Sequence, residues 1–187
     1  MENSAIDDGN LSIRPSVFRR GDENFWCGIN PDAAIGEFGP QADASESKYE
    51  TILPVWDLRR EALLMNPLLD GEKDTLQLYF VQRESFLLHN EHTDIYTHST
   101  FLERSNSGRI LRVIAHWIAG HALTPPIFGT YNGKFVKYDG HHRTAVAIIA
   151  KAPVIPLYCA ELLDMQGVFP APQSLLLNAR WIAETVR

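Results

Sequence analysis

Pro126-Ile127-Phe128-Gly129-Thr130-Tyr131-Asn132-Gly133-Lys134-Phe135-Val136-Lys137-Tyr138-Asp139-Gly140-His141-His142-Arg143-Thr144 holds two apolar runs, the turn joining them, and a second turn that opens a helix. Pro126–Tyr131 and Lys134–Tyr138 flank Asn132-Gly133, a dipeptide that favours a tight β-hairpin because both residues tolerate positive φ. Asp139-Gly140 then redirects the chain, Thr144–Lys151 carries a helix-like pattern, and Val154–Tyr158 reads as a returning strand. Just upstream, Ile110, Leu111, Val113, Ile114, Trp117 and Ile118 recur with helical spacing, and Gly120 marks the stop. Hairpin, helix and returning strand in this order predict an α+β domain with a small mixed sheet and flanking helices, not a sandwich or bundle.

The remaining chain is read outward from this centre. Tyr49–Val55 is a short strand candidate, with Pro54 either making it an edge strand or placing its end there. Asp57–Met65 reads as a short helix stopped by Asn66-Pro67, Thr75–Val81 as a strand, and Ser174–Val186 as a final helix with an apolar stripe at Leu175, Leu176, Ala179, Ile182 and Ala183. The polar, His-rich stretch 84–108 gives no firm pattern. Residues 1–47 are punctuated by Gly and Pro and read as an arm, packed on or extending from the core through Phe18, Phe25, Trp26 and Phe38. The expected organisation is therefore the arm followed by one domain over 48–187. At 187 residues, 45% hydrophobic and 21% charged, the chain has the makings of an ordinary globular core.

The net charge of −6 excludes a chain-wide cationic surface. That total conceals an acidic segment, 1–48, and a basic one. Between 104 and 151, Arg104, Arg109, Arg112, Lys134, Lys137, Arg143 and Lys151 face a single acid, Asp139. Such a local surplus is either solvated charge on element faces or a field suited to a polyanion such as a nucleotide or a DNA strand. The N-terminus has no signal-peptide pattern and no apolar run is long enough to span a bilayer. With Cys27 and Cys159 far apart and forming no framework, the expected compartment is the cytoplasm.

Asp139–Thr144 carries the chemistry. Gly140 permits a tight turn and close approach to the backbone, and the residues after it enter a first helical turn whose free N–H groups and positive dipole end attract phosphate. Arg143 supplies a two-pronged donor. His141 and His142 can donate to phosphate oxygens, and His142 can act as general acid or base. Asp139 can hold a divalent cation such as Mg, or orient a histidine. The expected phosphate-binding set is Gly140, His141, His142, Arg143 and Thr144, with Asp139, His142 and Arg143 as catalytic candidates. Arg104, Arg109, Arg112, Lys134 and Lys137 are candidates for sequence-nonspecific DNA contacts. The competing reading makes Asp139 a helix cap and the histidines surface residues. Neither the Walker lysine loop nor the dinucleotide glycine pattern occurs.

The run from Pro125 to Ala145, followed by Ala152-Pro153-Val154-Ile155-Pro156-Leu157, resembles the ParB/sulfiredoxin superfamily. Ile52-Leu53-Pro54-Val55 and Asn66-Pro67 are similar to that family's first strand and following loop. The resemblance spans roughly residues 50–160. It implies nucleoside di- or triphosphate binding by Gly140–Arg143, and one of several activities: nuclease, nucleotidase, sulfinic-acid reductase or free-serine kinase. His141 stands where sulfiredoxins have their catalytic cysteine, which argues against sulfinyl reduction. His141-His142 replaces the Glu-Arg of partition proteins, whose DNA-binding helix-turn-helix domain has no counterpart here. For the kinases, Glu50 and Glu61 are the candidate catalytic glutamates. Size, acidic arm and lone core also resemble small plasmid-encoded fertility-inhibition proteins, which are associated with ATP hydrolysis, DNA cleavage and blocking of type IV secretion. The resulting expectation is a nucleotide-binding enzyme that hydrolyses ATP and cleaves DNA. The alternatives are a non-catalytic, nucleotide-controlled inhibitor of a secretion or partition protein, and a small-molecule kinase.

Other residues invite plainer readings. His89, His92, Asp94 and His98 have ligand-type spacing, but surface or cap roles explain them better than zinc. His116 and His121 fall near a helix C-terminus, where the dipole favours positive charge. Trp117 and Trp181 lie on helical apolar stripes and read as core, and Cys159 as a buried, inert thiol.

Overall fold

A computed structural model describes residues 37–38, 46–63, 75–90 and 107–183. In chain order the elements are helix α1 (Glu46–Tyr49), strand β1 (Val55–Trp56), strand β2 (Gln77–Gln82), helix α2 (Arg83–His89) and helix α3 (Ser107–Ile118). Strands β3 (Ile127–Tyr131) and β4 (Lys134–Asp139) follow, then helix α4 (His141–Ile149) and strands β5 (Val154–Cys159), β6 (Val168–Pro170) and β7 (Trp181–Ile182). The architecture is α+β.

The Asn132-Gly133 turn has φ of 52° and 71°, the left-handed pair that a two-residue hairpin demands, and it fixes β3 against β4. Beyond β4, α4 carries the chain back across the sheet so that β5 lies parallel to β3, a pairing that requires a crossover. Antiparallel pairing of β5 with β2 and of β2 with β6 completes a five-stranded sheet in the order β4-β3-β5-β2-β6. Strand β5 is central, and Ile155 through Cys159 are all buried. Strands β1 and β7 form a separate antiparallel ribbon.

Aromatic side chains fasten the layers. Phe86 of α2 meets Phe128 edge-on at 5.3 Å and stacks on Phe135 at 5.5 Å. Trp117 of α3 packs edge-on against Trp56 at 5.1 Å and donates its indole N–H to the Val55 carbonyl, 2.9 Å away. Trp117 is therefore core, as its stripe predicts. On the β2 face that carries Phe80, the Trp181 ring stacks at 4.7 Å. Phe38 is buried against Tyr49, whereas Phe18, Phe25 and Trp26 lie outside the described residues.

Three expectations are corrected. Tyr49–Val55 is not a strand: Thr51 and Ile52 bond back to the carbonyls of Lys48 and Tyr49, so a turn separates α1 from β1. Among the described residues of Asp57–Met65, which end at Leu63, only Arg60–Ala62 is helical, as a 3-10 turn, because the Asp57 carboxylate takes both the Arg59 N–H and its guanidinium and holds the backbone extended at Arg59. The described part of Ser174–Val186, residues 174–183, is not an α-helix either. A 3-10 turn over Gln173–Leu177 gives way to extended Asn178, whose carbonyl accepts the Leu58 N–H, and then to β7 on β1. Strand partners override the helical period, while Leu175, Leu176 and Ile182 still reach the core. Strand β6 and helix α2 are additions that the sequence reading did not contain.

Gly140 has φ of 84°, and a Cβ there would meet Pro126 at 2.6 Å. Gly133 shares the positive φ but faces open space. Gly140→Ala should therefore lower stability by about 3 kcal/mol, against about 1 kcal/mol for Gly133→Ala. Denaturant unfolding of the two variants measures the difference, and equal losses would show that Pro126 imposes no constraint.

A candidate phosphate site at the start of a helix

Helix α4 begins at His141, three residues earlier than the sequence pattern suggests, so both histidines and Arg143 belong to its first turn. The first intrahelical bond runs from the Thr144 N–H to the Gly140 carbonyl at 3.0 Å. The amides of His141, His142 and Arg143 precede it and find no carbonyl within the helix. Gly140 makes the turn, but the room beside it is filled by Pro126, not left for a ligand.

Arg143 and Thr144 are committed to the scaffold. Arg143 is 12% exposed; its Nη1 donates to the Thr124 carbonyl at 2.8 Å and to the Thr124 hydroxyl, and its Nη2 donates to Asp139 Oδ2 at 3.2 Å. The expected open fork is thus a tie between the first turn of α4, the end of β4 and the loop before β3. Thr144 is 0% exposed, and its hydroxyl, like its amide, donates to the Gly140 carbonyl. It has no donor left for a phosphate.

His142 has the opposite character. Its Nε2 is buried without a hydrogen-bond partner. Burial, and then the positive neighbours His141, Arg109, Lys137 and Arg143, depress its pKa to about 4. A neutral imidazole therefore stands among cations drawn from α3, β4 and α4. His141 lies beside it, ring centroids 5.3 Å apart. An arriving anion would meet the dipole end of α4 and the charges of Arg109 and Lys137, both exposed.

The basic candidates divide accordingly. Arg109 and Lys137 join the site, and Lys134 is exposed at the hairpin tip. Arg112 is half-buried, and burial followed by the charge of Arg109 lowers its pKa, so it is poorly placed for a DNA backbone. Arg104 lies outside the described residues. Asp139 is paired with Arg143. Among the described residues no group of three His, Cys, Asp or Glu side chains is placed to hold a metal. The donor set fits an anion and does not fit a divalent cation held by protein ligands alone.

Glu50 forms an ion pair with Lys151 at 2.5 Å, beyond the far end of α4, and α4 alone is roughly 13 Å long. It cannot serve chemistry at the turn. Glu61 lies in the 3-10 turn, where its charge acts on Tyr158. His116 corrects the helix-dipole account: it is 1% exposed and burial pushes its pKa down to about 3, so the ring is neutral. The Cys159 thiol donates to Glu161 at 2.8 Å; burial foremost, and that bond, push its pKa up to about 12. Cys27, His92, Asp94 and His98 lie outside the described residues. Thr124, the buried anchor for Arg143, carries no sequence signal, since nothing in Leu123-Thr124-Pro125 marks a side-chain acceptor.

Compared with known proteins, the chain matches no family model, no curated protein and no solved structure. Among the described residues no helix is long and apolar enough to cross a membrane.

The two depressed histidines set an acid limit. Both folded pKa values lie below the unfolded value of 6.5, so the unfolded chain takes up protons more readily. Stability is complete above pH 6.5 and drains as pH falls toward 4 and 3. His116 alone should remove about 2 kcal/mol between pH 7 and pH 5. Urea titrations of wild type and His116→Gln at the two pH values check this. A wild-type loss that the substitution does not reduce would refute the assignment.

Proposed function

We propose that this chain is a ParB/sulfiredoxin-type protein that binds ATP, or a related nucleoside di- or triphosphate, at the start of α4, hydrolyses it, and acts on DNA. The observation that carries the reading is the unpartnered, buried Nε2 of neutral His142 among Arg109, Lys137 and Arg143 at a helix N-terminus. The hairpin, glycine turn, helix and strand leading to Ile155-Pro156 support the same family reading. In this reading the amides of the first turn and His142 meet the phosphates, Arg109 and Lys137 supply charge, and Arg143 positions the turn. In this reading His142 is the group that handles the proton of an attacking water, and a bound phosphate beside the ring would raise its pKa from about 4 toward neutrality. A metal ion, where one is needed, arrives with the nucleotide. DNA cleavage and interference with plasmid transfer through a type IV secretion system extend the proposal on the strength of the resemblance.

The Asp139–Arg143 pair favours a second reading. It ties up the carboxylate nearest the turn, which suits a protein that binds nucleotide without turnover and inhibits a secretion or partition protein when occupied.

Calorimetric titration of ATP, CTP and ADP, paired with phosphate release, separates the readings. His142→Gln and Lys137→Gln should each weaken nucleotide binding by about 1.5–3 kcal/mol, the range for a hydrogen bond to a charged group. Binding that survives both substitutions unchanged overturns the site. Binding without phosphate release selects the non-catalytic protein.

A further inference from the structure

The hairpin beside the phosphate site carries two large aromatic rings in water, Tyr131 at 68% and Tyr138 at 46% exposure. Their placement follows from register. Gly129 pairs with Val136 and Tyr131 with Lys134, and residues two apart in a strand share a face, so Gly129, Tyr131, Lys134 and Val136 lie together. A slip in register between Ile127 and Phe128 leaves Tyr138 out of the pairing, and its ring lies over Gly129, where a Cβ would come within 2.7 Å of it. Both rings are thus on one face, separated by roughly 7 Å of strand. Asp139 pairs with Ile127 and falls on this face too, so the face runs from the hairpin tip to the turn of α4.

Packing explains only part of this. Tyr138 covers the backbone at Gly129 but keeps nearly half its surface open, and Tyr131 contributes little to the core. Lys134 shares this face at the hairpin tip, whereas Lys137, paired with Phe128, lies on the other face and joins Arg109 near His142. Two flat rings with a lysine at one end suit a ligand with π-faces and a polyanionic backbone. A duplex keeps its bases stacked on each other, whereas a single strand offers them to protein rings.

We propose that Tyr131 and Tyr138 form a stacking platform for the bases of a single DNA strand, with Lys134 on its phosphates at the hairpin tip as the strand runs toward the turn of α4. The platform deepens the DNA reading above and rests on it. Stacking tolerates any base, so binding is indifferent to sequence, and removing an aromatic face weakens single-strand binding while leaving duplex binding alone.

Fluorescence anisotropy at low salt tests the platform, using a labelled mixed-sequence single strand, the matching duplex, and RNA of the same sequence. Tyr131→Leu and Tyr138→Leu retain apolar cover and remove the ring; each should weaken single-strand binding by about five- to tenfold, with duplex binding unchanged. Tyr138→Phe should bind as wild type. Lys134→Gln should weaken single strand and duplex alike. Leucine variants that bind the single strand normally, while Lys134→Gln does not, overturn the platform and leave DNA binding standing. Wild-type protein that binds no DNA overturns both, and tighter binding of RNA than of DNA overturns the assignment to DNA.

Discussion

Arg143 holds three separate pieces of chain with one guanidinium. Its bonds to Thr124 and Asp139 fix the loop before β3, the end of β4 and the first turn of α4 as a unit. Neighbouring bonds extend the unit: Leu123 accepts the Asp57 N–H and donates to the Val55 carbonyl, which also takes the Trp117 indole. A planar, permanently charged fork suits this task, because it spans acceptors from different segments and cannot be neutralised. With only 12% of the side chain exposed, loss of either acceptor would leave a poorly hydrated cation.

With the arginine committed to the scaffold, a phosphate arriving at this turn would meet its neighbours instead. The backbone amides of the turn are held in place by the tie, and His142 sits within reach of three cations without a hydrogen-bond partner at Nε2. Burial disfavours its protonated form, and the surrounding positive charge adds to that effect. Negative charge beside the ring would oppose both influences. The same residues that keep His142 neutral in the free protein thus make it responsive to a phosphate.

Local chemistry made the hairpin, α3 and β5 readable: Asn132-Gly133 has few alternatives to a tight turn, and Ile110 through Trp117 keep a strict helical period. The C-terminal segment defeated the same logic. Leu175, Leu176 and Ile182 repeat as a helix would, yet Val55 and Trp56 provide a strand partner that no local pattern announces. Around Gly140 the turn and the helix it opens were legible, and the partners of the side chains were not. Gly140, His142 and Arg143 are together as the motif suggests, but residue type cannot tell whether an arginine points outward or is drawn to Thr124. Nor could the alternation of β4 reveal that a register slip brings Tyr138 over Gly129. Such assignments depend on segments distant in sequence.

An acidic protein with a basic face presents two electrostatic ranges to a polyanion. At a distance the net charge of −6 repels it. At physiological ionic strength, however, fields decay over about 8 Å, so a strand near the hairpin feels Lys134, Lys137 and Arg109 far more than the acids elsewhere on the chain. Lowering the salt strengthens the local attraction and also lets the distant repulsion through, so the two partly offset each other. The partly buried charges around His142 are screened least. Short-range contacts at the start of α4, rather than long-range steering, would therefore dominate the attraction of any anion to this face.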